Sequence, residues 1–92
     1  MCAEVRKTMK IVNKLGLHAR AAAKLIDLAS GFESGIRICR DGREADAKSI
    51  MKVMMLAASK GTSIEVVARG PDAPEAVEAI ERLVAGRFEE TE

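Results

Sequence analysis

Two hydrophobic periods alternate along this sequence of 92 residues, and their order constrains the fold more than any other feature. Segments in which every second residue is apolar are typical of half-buried strands, and segments with apolar residues three or four positions apart are typical of helices. The predicted strands are residues 6–12, 35–40, 43–47 and 62–69, and the predicted helices are residues 19–30, 50–60 and 73–85. The predicted element order is therefore βαββαβα.

Local signals mark the ends of these elements. Asp41-Gly42 is a strong two-residue hairpin signal between the second and third strands. Ser49 and Asp72 are predicted N-caps, and Gly31, Gly61 and Gly86 follow the predicted last turns. Four short strands that are joined so closely need only one sheet.

This order predicts the α+β class. We expect an open-faced β-sandwich, in which three helices cover one face of a four-stranded antiparallel sheet. Residues 1–92 are interpreted as a single domain. Residues 87–92 are expected to be a frayed tail, with Phe88 as the side chain that tucks back.

Charge and aromatic content exclude one class of function. The 15 Lys and Arg residues nearly cancel the 14 Asp and Glu residues, whereas a general nucleic-acid binder needs a basic excess. The chain has no Trp and no Tyr, so an RNA-recognition module would lack its stacking side chains. We therefore expect no nucleic-acid partner.

The cysteines and the apolar runs bear on the environment of the chain. Cys2 and Cys39 have neither CxxC spacing nor a nearby His, so we expect no disulfide framework and no zinc site, and a reducing compartment is the simplest interpretation. No apolar run approaches the roughly 20 residues that span a bilayer, and the first ten residues lack the apolar core of a signal peptide. We expect a cytoplasmic monomer without membrane insertion, metal or cofactor.

The single histidine, His18, stands where the first helix is predicted to begin, two positions before Arg20. The first N–H groups of a helix lack internal partners and carry the positive end of the dipole, so an anion is stabilised there. An arginine adds a donor suited to phosphate oxygens, and the positive environment keeps an imidazole neutral. A neutral imidazole beside an anion site suits a phosphoryl acceptor, although a lone histidine at a helix start is more often a simple surface residue.

The residues around His18, "NKLGLHARAAAKL", resemble the motif G-[LMI]-H-[AT]-R-P-A of the HPr family. These proteins are the histidine phosphocarriers of the bacterial phosphoenolpyruvate-dependent phosphotransferase system. The resemblance continues through "GFES", "AKSIMKVMML" and "KGTSIEVVARGPD" in family order, over residues 5–88. It implies the same βαββαβα fold. The proline of the motif is Ala21 here, which puts the rate of transfer in doubt more than the family.

The resemblance also implies roles for single residues. His18 matches the histidine that enzyme I phosphorylates on Nδ1 with a phosphoryl group from phosphoenolpyruvate. Arg20 matches the arginine that contacts this group, and IIA proteins or domains are the implied recipients. The chain is then a carrier in a relay and not an enzyme. In agreement, it has no Gly-rich nucleotide loop.

The second predicted helix is apolar nearly all round. The residues that suffice to face the sheet are Val53, Leu56 and Ala57. Ile50, Met51 and Met54 are then left near solvent, as in a docking site, unless the two methionines pack against the first helix. The resemblance implies that this patch and the region of His18 form one surface for enzyme I and IIA. The small Ala19 and Ala23 would let these partners approach.

Ser49 has two interpretations. Serine is a favoured N-cap, and the resemblance adds that "AKSIMK" matches the site phosphorylated by HPr kinase/phosphorylase. A phosphate at a helix N-terminus is tolerated by the dipole, but its charge beside an apolar patch would repel an acidic partner. Regulation at Ser49 would therefore change docking and leave the fold intact.

The branch of the family stays open at the level of sequence. "IVNKLGLHAR" and "VAGRFEE" are similar to NPr, the nitrogen-branch carrier to a regulatory IIA, whereas the serine of "AKSIMK" is typical of kinase-regulated HPr in sugar transport. A small-molecule-sensing regulatory domain is the alternative on fold alone, because a fold does not fix a function.

Overall fold

A computed structural model describes residues 3–91 of the chain, and the side chains of residues 4–91. The strands are β1 (Ala3–Lys10), β2 (Gly35–Arg40), β3 (Arg43–Asp46) and β4 (Ser63–Gly70). The helices are α1 (Ala19–Ser30), α2 (Ile50–Met55) and α3 (Ala73–Ala85), followed by a C-terminal turn at Arg87–Glu89. The predicted βαββαβα order is confirmed. Among the described residues, no helix has both the length and the hydrophobicity needed to cross a bilayer.

The four strands form one antiparallel sheet in the order β1-β4-β2-β3. In β4, Ile64 lies opposite Met9 of β1, and Val66 lies opposite Ile38 of β2. Ile38 in turn faces Ala45 of β3. Side chains that share one face of the sheet are thus aligned across all four strands, and this register confirms the predicted antiparallel sheet.

The aligned face carries the hydrophobic core and the opposite face is open. The apolar residues at every second position of β2 and β4 are buried against the helices, as predicted. These residues are Ile36, Ile38, Ile64, Val66 and Ala68. The open face is charged and holds ion pairs, among them Arg6 with Glu4 at 2.9 Å. The carboxyl pKa of Glu4 is lowered, first by the hydrogen bond from this guanidinium. The open-faced α+β sandwich is therefore confirmed.

The second helix is shorter than the sequence predicts. It ends at Met55 and not near Gly61, because Ala57 adopts a left-handed backbone conformation with φ of 51°. The chain then lies against the loop after β1, where the Leu17 N–H donates to the Ala58 carbonyl at 2.8 Å. This contact places Ala58 in the core and leaves Ala57 exposed, so the prediction that Ala57 faces the sheet was wrong.

Gly16 explains why the two segments can approach so closely. Its φ is +68°, and a Cβ built on it would lie 2.5 Å from the Ala58 carbonyl oxygen. Any side chain at this position would therefore collide with backbone. The glycine of the sequence motif thus holds the loop before α1 against the segment after α2.

The C-terminal turn folds back onto the core. Phe88 is fully buried, as its predicted return to the core requires. The Lys24 ammonium group donates a hydrogen bond to the Phe88 carbonyl at 2.8 Å. Apolar burial and a charged donor on α1 together hold this segment against the core. Fraying of residues 87–92 stays a prediction.

Asp72 occupies the predicted N-cap position of α3, but its side chain makes no capping bond there. Its carboxylate accepts hydrogen bonds from the Ser34 hydroxyl and from the N–H groups of Glu33 and Ser34, both at 2.9 Å. The hydroxyl and the Glu33 N–H lower the pKa of this carboxyl group. Asp72 therefore ties the start of α3 to the turn between α1 and β2.

Candidate functional site

His18 is the N-cap of α1, as predicted. Its backbone is extended (φ −79°, ψ 179°), and the Ala22 N–H donates to its carbonyl at 2.8 Å, which is the first hydrogen bond of the helix. The N–H groups of Ala19, Arg20 and Ala21 precede this bond. These three donors and the helix dipole make the start of α1 electropositive.

The ring of His18 is held at both nitrogens. The Arg20 N–H donates to Nδ1 at 3.3 Å, and Nε2 contacts the carboxylate of Glu90. Because Nδ1 accepts a hydrogen bond and an ionised carboxylate can only accept, the ring proton is assigned to Nε2. Nδ1 therefore presents its lone pair to the start of α1, while about a quarter of the side chain stays exposed.

Glu90 is oriented by Asn13, and the sequence analysis missed both residues. The buried Asn13 amide donates to the Glu90 carboxylate at 3.0 Å and to the Gly16 carbonyl at 2.7 Å. The pKa of Glu90 is lowered, first by this amide and then by His18. No local pattern joins positions 13 and 90, so the only available signal was the "N" that opens the quoted motif.

A hollow is lined in part by Arg20 and Glu90, two residues that contact the His18 ring. Its volume is about 510 Å³, and its lining residues are Lys14, Leu15, Arg20, Lys24, Glu89, Glu90 and Thr91. Arg20, which the sequence predicts to contact the phosphoryl group, lines this hollow and is exposed. Its guanidinium group is therefore accessible to an anion in the hollow. Three cationic and two anionic residues give the hollow a mixed charge with a small positive excess.

The predicted apolar patch on α2 is exposed. Met51 exposes 69% of its surface, while Ile50 and Met54 each expose 39%. Met55 on the same helix, which the prediction did not include, exposes 67%. We call Ile50, Met51, Met54 and Met55 the α2 patch. The interpretation that Met51 packs against α1 is not supported, because most of its surface is free.

Leu15 extends the apolar surface toward the histidine, and it too was missed. It exposes 67% of its surface in the loop that leads to His18. The hydrogen bond from Leu17 to Ala58 joins this loop to the segment after α2. Ala19 and Ala23 are exposed on α1. A partner at the histidine would thus meet small and apolar side chains around it.

Ser49 is the N-cap residue of α2, as predicted, and the Val53 N–H donates to its carbonyl at 3.0 Å. Its side chain, however, makes no capping hydrogen bond and is partly exposed. The hydroxyl is therefore not committed to the helix. It stands directly beside Ile50, at the edge of the α2 patch.

The cysteine among the described residues lies outside this region. Cys39 lies on β2 and is partly buried, and this burial, with Glu44 and Glu65 nearby, raises the pKa of its thiol. Cys2 lies outside the described residues. Within residues 3–91, no three His, Cys, Asp or Glu side chains are grouped so that they could hold a metal ion.

Comparison with known proteins identifies the family. A family model described as "PTS HPr component phosphorylation site" matches residues 5–86. The phosphocarrier protein HPr of Cupriavidus necator is 51% identical over 88 residues, which are 96% of this chain and 99% of that protein. The phosphocarrier protein NPr of Escherichia coli K12 is 44% identical, over 94% of this chain and 97% of its own. The chain thus belongs to the HPr family of phosphocarrier proteins of the phosphotransferase system.

Solved structures agree with this assignment. The crystal structure of HPr-C-His from Thermoanaerobacter tengcongensis superimposes with a TM-score of 0.92 at 40% identity, over 96% of this chain and 99% of that one. An HPr dimer from the same organism has a TM-score of 0.76 at 41% identity, over 89% and 94%. Dimers therefore occur among the relatives, and a monomer remains a prediction for this chain. Family membership implies interaction with other phosphotransferase-system proteins.

Proposed function

We propose that this chain accepts a phosphoryl group from phospho-enzyme I on Nδ1 of His18 and passes it to IIA proteins or domains. The observation that carries the proposal is the hydrogen bond that Nδ1 accepts from the Arg20 N–H, at the electropositive start of α1. Two hydrogen bonds, from Arg20 to Nδ1 and from Nε2 to Glu90, hold the ring in the tautomer that is protonated on Nε2. The nucleophile and the anion site are thus adjacent before a partner arrives.

The transfer balances without an added cofactor. The bond between phosphorus and its carrier atom in phospho-enzyme I breaks as the bond from phosphorus to Nδ1 forms. The ring keeps its Nε2 proton and gains a positive charge, while the phosphoryl oxygens bring negative charge to the N–H groups at the start of α1. Arg20 supplies a further permanent positive charge there. Transfer to IIA reverses these steps, so the chain carries the group and does not turn over a substrate.

The proposed docking surface joins the histidine to the α2 patch. Ala19 and Ala23 admit the partner backbone, while Leu15 and the α2 patch supply apolar contact. If enzyme I and IIA use the same surface, the carrier must leave one partner before it meets the other. Its accessible methionines suit partners of different shape.

We also propose that HPr kinase/phosphorylase can modify Ser49 and thereby weaken docking. Its hydroxyl is partly exposed and free of a capping bond. A phosphate at this position would add negative charge beside Ile50 without disturbing the backbone of α2. The two branches, sugar transport and nitrogen regulation, differ in the acceptor, so a comparison of IIA proteins from each branch distinguishes them.

The direct test is incubation with purified enzyme I and radiolabelled phosphoenolpyruvate, for the wild type and for His18→Ala. We expect acid-labile label on the wild type and none on the variant, which should keep its fold because the ring is not part of the core. Absence of label on the wild type, with enzyme I active on another carrier, would contradict the proposal. Retention of label by His18→Ala would place the phosphoryl group elsewhere.

A further inference from the structure

We infer that Glu90 is a positioning residue for His18. Its carboxylate holds the Nε2 proton, keeps the lone pair on Nδ1, and balances the positive charge that the ring gains when it is phosphorylated. This inference rests on the proposed function and deepens it. Its first observation is the contact between the Glu90 carboxylate and Nε2, across 72 positions of sequence.

The carboxylate is held in place independently of the histidine. The Asn13 amide donates to its other oxygen at 3.0 Å, and Asn13 is itself fully buried. Only 15% of the Glu90 side chain is exposed, compared with 75% for its neighbour Glu89. Glu90 is therefore restrained in a position from which it can fix the ring, as an outer-shell carboxylate fixes a histidine in other sites.

The backbone that delivers Glu90 is unusual. Arg87, Phe88 and Glu89 have φ of 59°, 54° and 65°, a left-handed run that is unfavourable for residues with a side chain. Burial of Phe88 and the bond from Lys24 to its carbonyl offset this cost. This conformation turns the chain so that the Glu90 side chain reaches the histidine.

The charges around the pair are consistent with an ionised Glu90. Lys24 and the basic Arg20 and Lys14 line the same hollow, with Glu89 as the other anion. The Asn13 amide and His18 lower the pKa of Glu90, so its carboxylate is charged at neutral pH. During transfer the proton stays between Nε2 and Glu90 while the bond to phosphorus forms at Nδ1. No proton is released and no other reactant is needed.

The test compares Glu90→Gln with Glu75→Gln, a matched loss of one carboxylate at an exposed position in the first turn of α3. We expect Glu90→Gln to accept label from phospho-enzyme I about tenfold more slowly than the wild type. Glu75→Gln should match the wild type. In proton NMR, the Nε2 proton of His18 should resonate far downfield in the wild type and in Glu75→Gln, and move upfield in Glu90→Gln.

Glu90→Asp separates positioning from general stability, because it keeps the charge on a shorter side chain. We expect it to recover part of the rate and of the downfield shift. Equal rates and equal Nε2 shifts in Glu90→Gln and Glu75→Gln would overturn the inference while the proposed function stands. A wild type that takes no label would instead overturn the proposed function, and the NMR comparison would still report whether Glu90 holds the ring.

Discussion

The N-termini of α1 and α3 each have an N-cap side chain in a hydrogen bond that involves a carboxylate, but the first is part of the candidate site and the second is structural. At each start the N-cap residue, His18 or Asp72, bonds to a residue far away in the sequence, and at each a carboxyl group has a lowered pKa. Asp72 accepts three hydrogen bonds from Glu33 and Ser34, all directed into the protein. Its carboxylate is thereby occupied by structural bonds.

At the start of α1, one ring nitrogen of His18 remains available for reaction. One nitrogen of His18 is bound to Glu90, and the other accepts a single hydrogen bond of 3.3 Å from the Arg20 N–H. When phosphorus bonds to Nδ1, this N–H is released and can donate to a phosphoryl oxygen instead. A lowered carboxyl pKa therefore does not by itself distinguish a functional pair from a structural one. The distinction lies in whether the group bound to the carboxylate is still accessible. The His18 imidazole is partly exposed, whereas Ser34 is buried.

The largest expected effect comes from removing the ring of Phe88, which holds the C-terminal turn and therefore Glu90 in place. Phe88→Ala deletes a fully buried ring, so we expect a loss of about 3–5 kcal/mol in the free energy of unfolding, measured by urea denaturation. The downfield Nε2 signal of His18 should be lost with it. Met55→Ala, at an exposed position, should change stability by less than about 0.5 kcal/mol. A comparably small loss in Phe88→Ala would mean that the tail does not hold the site.

Local patterns predicted the fold and half of the site. Period and capping signals depend on neighbouring residues, so the four strands, the bounds of α1 and the inward residues of β2 and β4 were predictable. The motif likewise placed His18 and Arg20 at the start of α1. Each of these features is decided within a few positions of sequence.

The failures share one physical cause, which is contact between segments far apart in the chain. The early end of α2 follows from the approach of Gly16 to Ala58, and the position of the C-terminal turn follows from burial of Phe88. Asn13 and Glu90 meet across 77 positions. No periodicity or spacing within either segment carries this information, so the contacts of Glu90 with Asn13 and His18 were not predicted.

At the start of a third helix, α2, a substitution of Ser49 should change the affinity for enzyme I by an intermediate amount. Ser49→Asp adds negative charge at the edge of the α2 patch, so we expect about fivefold weaker binding to enzyme I in an NMR titration, with the helix intact. Ser49→Ala should bind like the wild type, because the hydroxyl makes no capping bond. Equal affinity of the aspartate variant and the wild type would exclude Ser49 as a control point for docking.

The smallest effect is expected from Asp72→Asn, which should lower the urea midpoint at pH 7 while phosphoryl acceptance stays normal. The pKa of Asp72 lies below its ordinary value of 3.8, so its ionised form stabilises the fold above that pH. This contribution disappears as the pH falls through the lowered pKa. The gap between wild type and variant should therefore close below about pH 3.8. Asp27→Asn, at an exposed position on α1, serves as the matched control. A gap that persists in acid would assign the loss to side-chain packing, and slowed phosphoryl transfer would mean that the two helix starts are coupled after all.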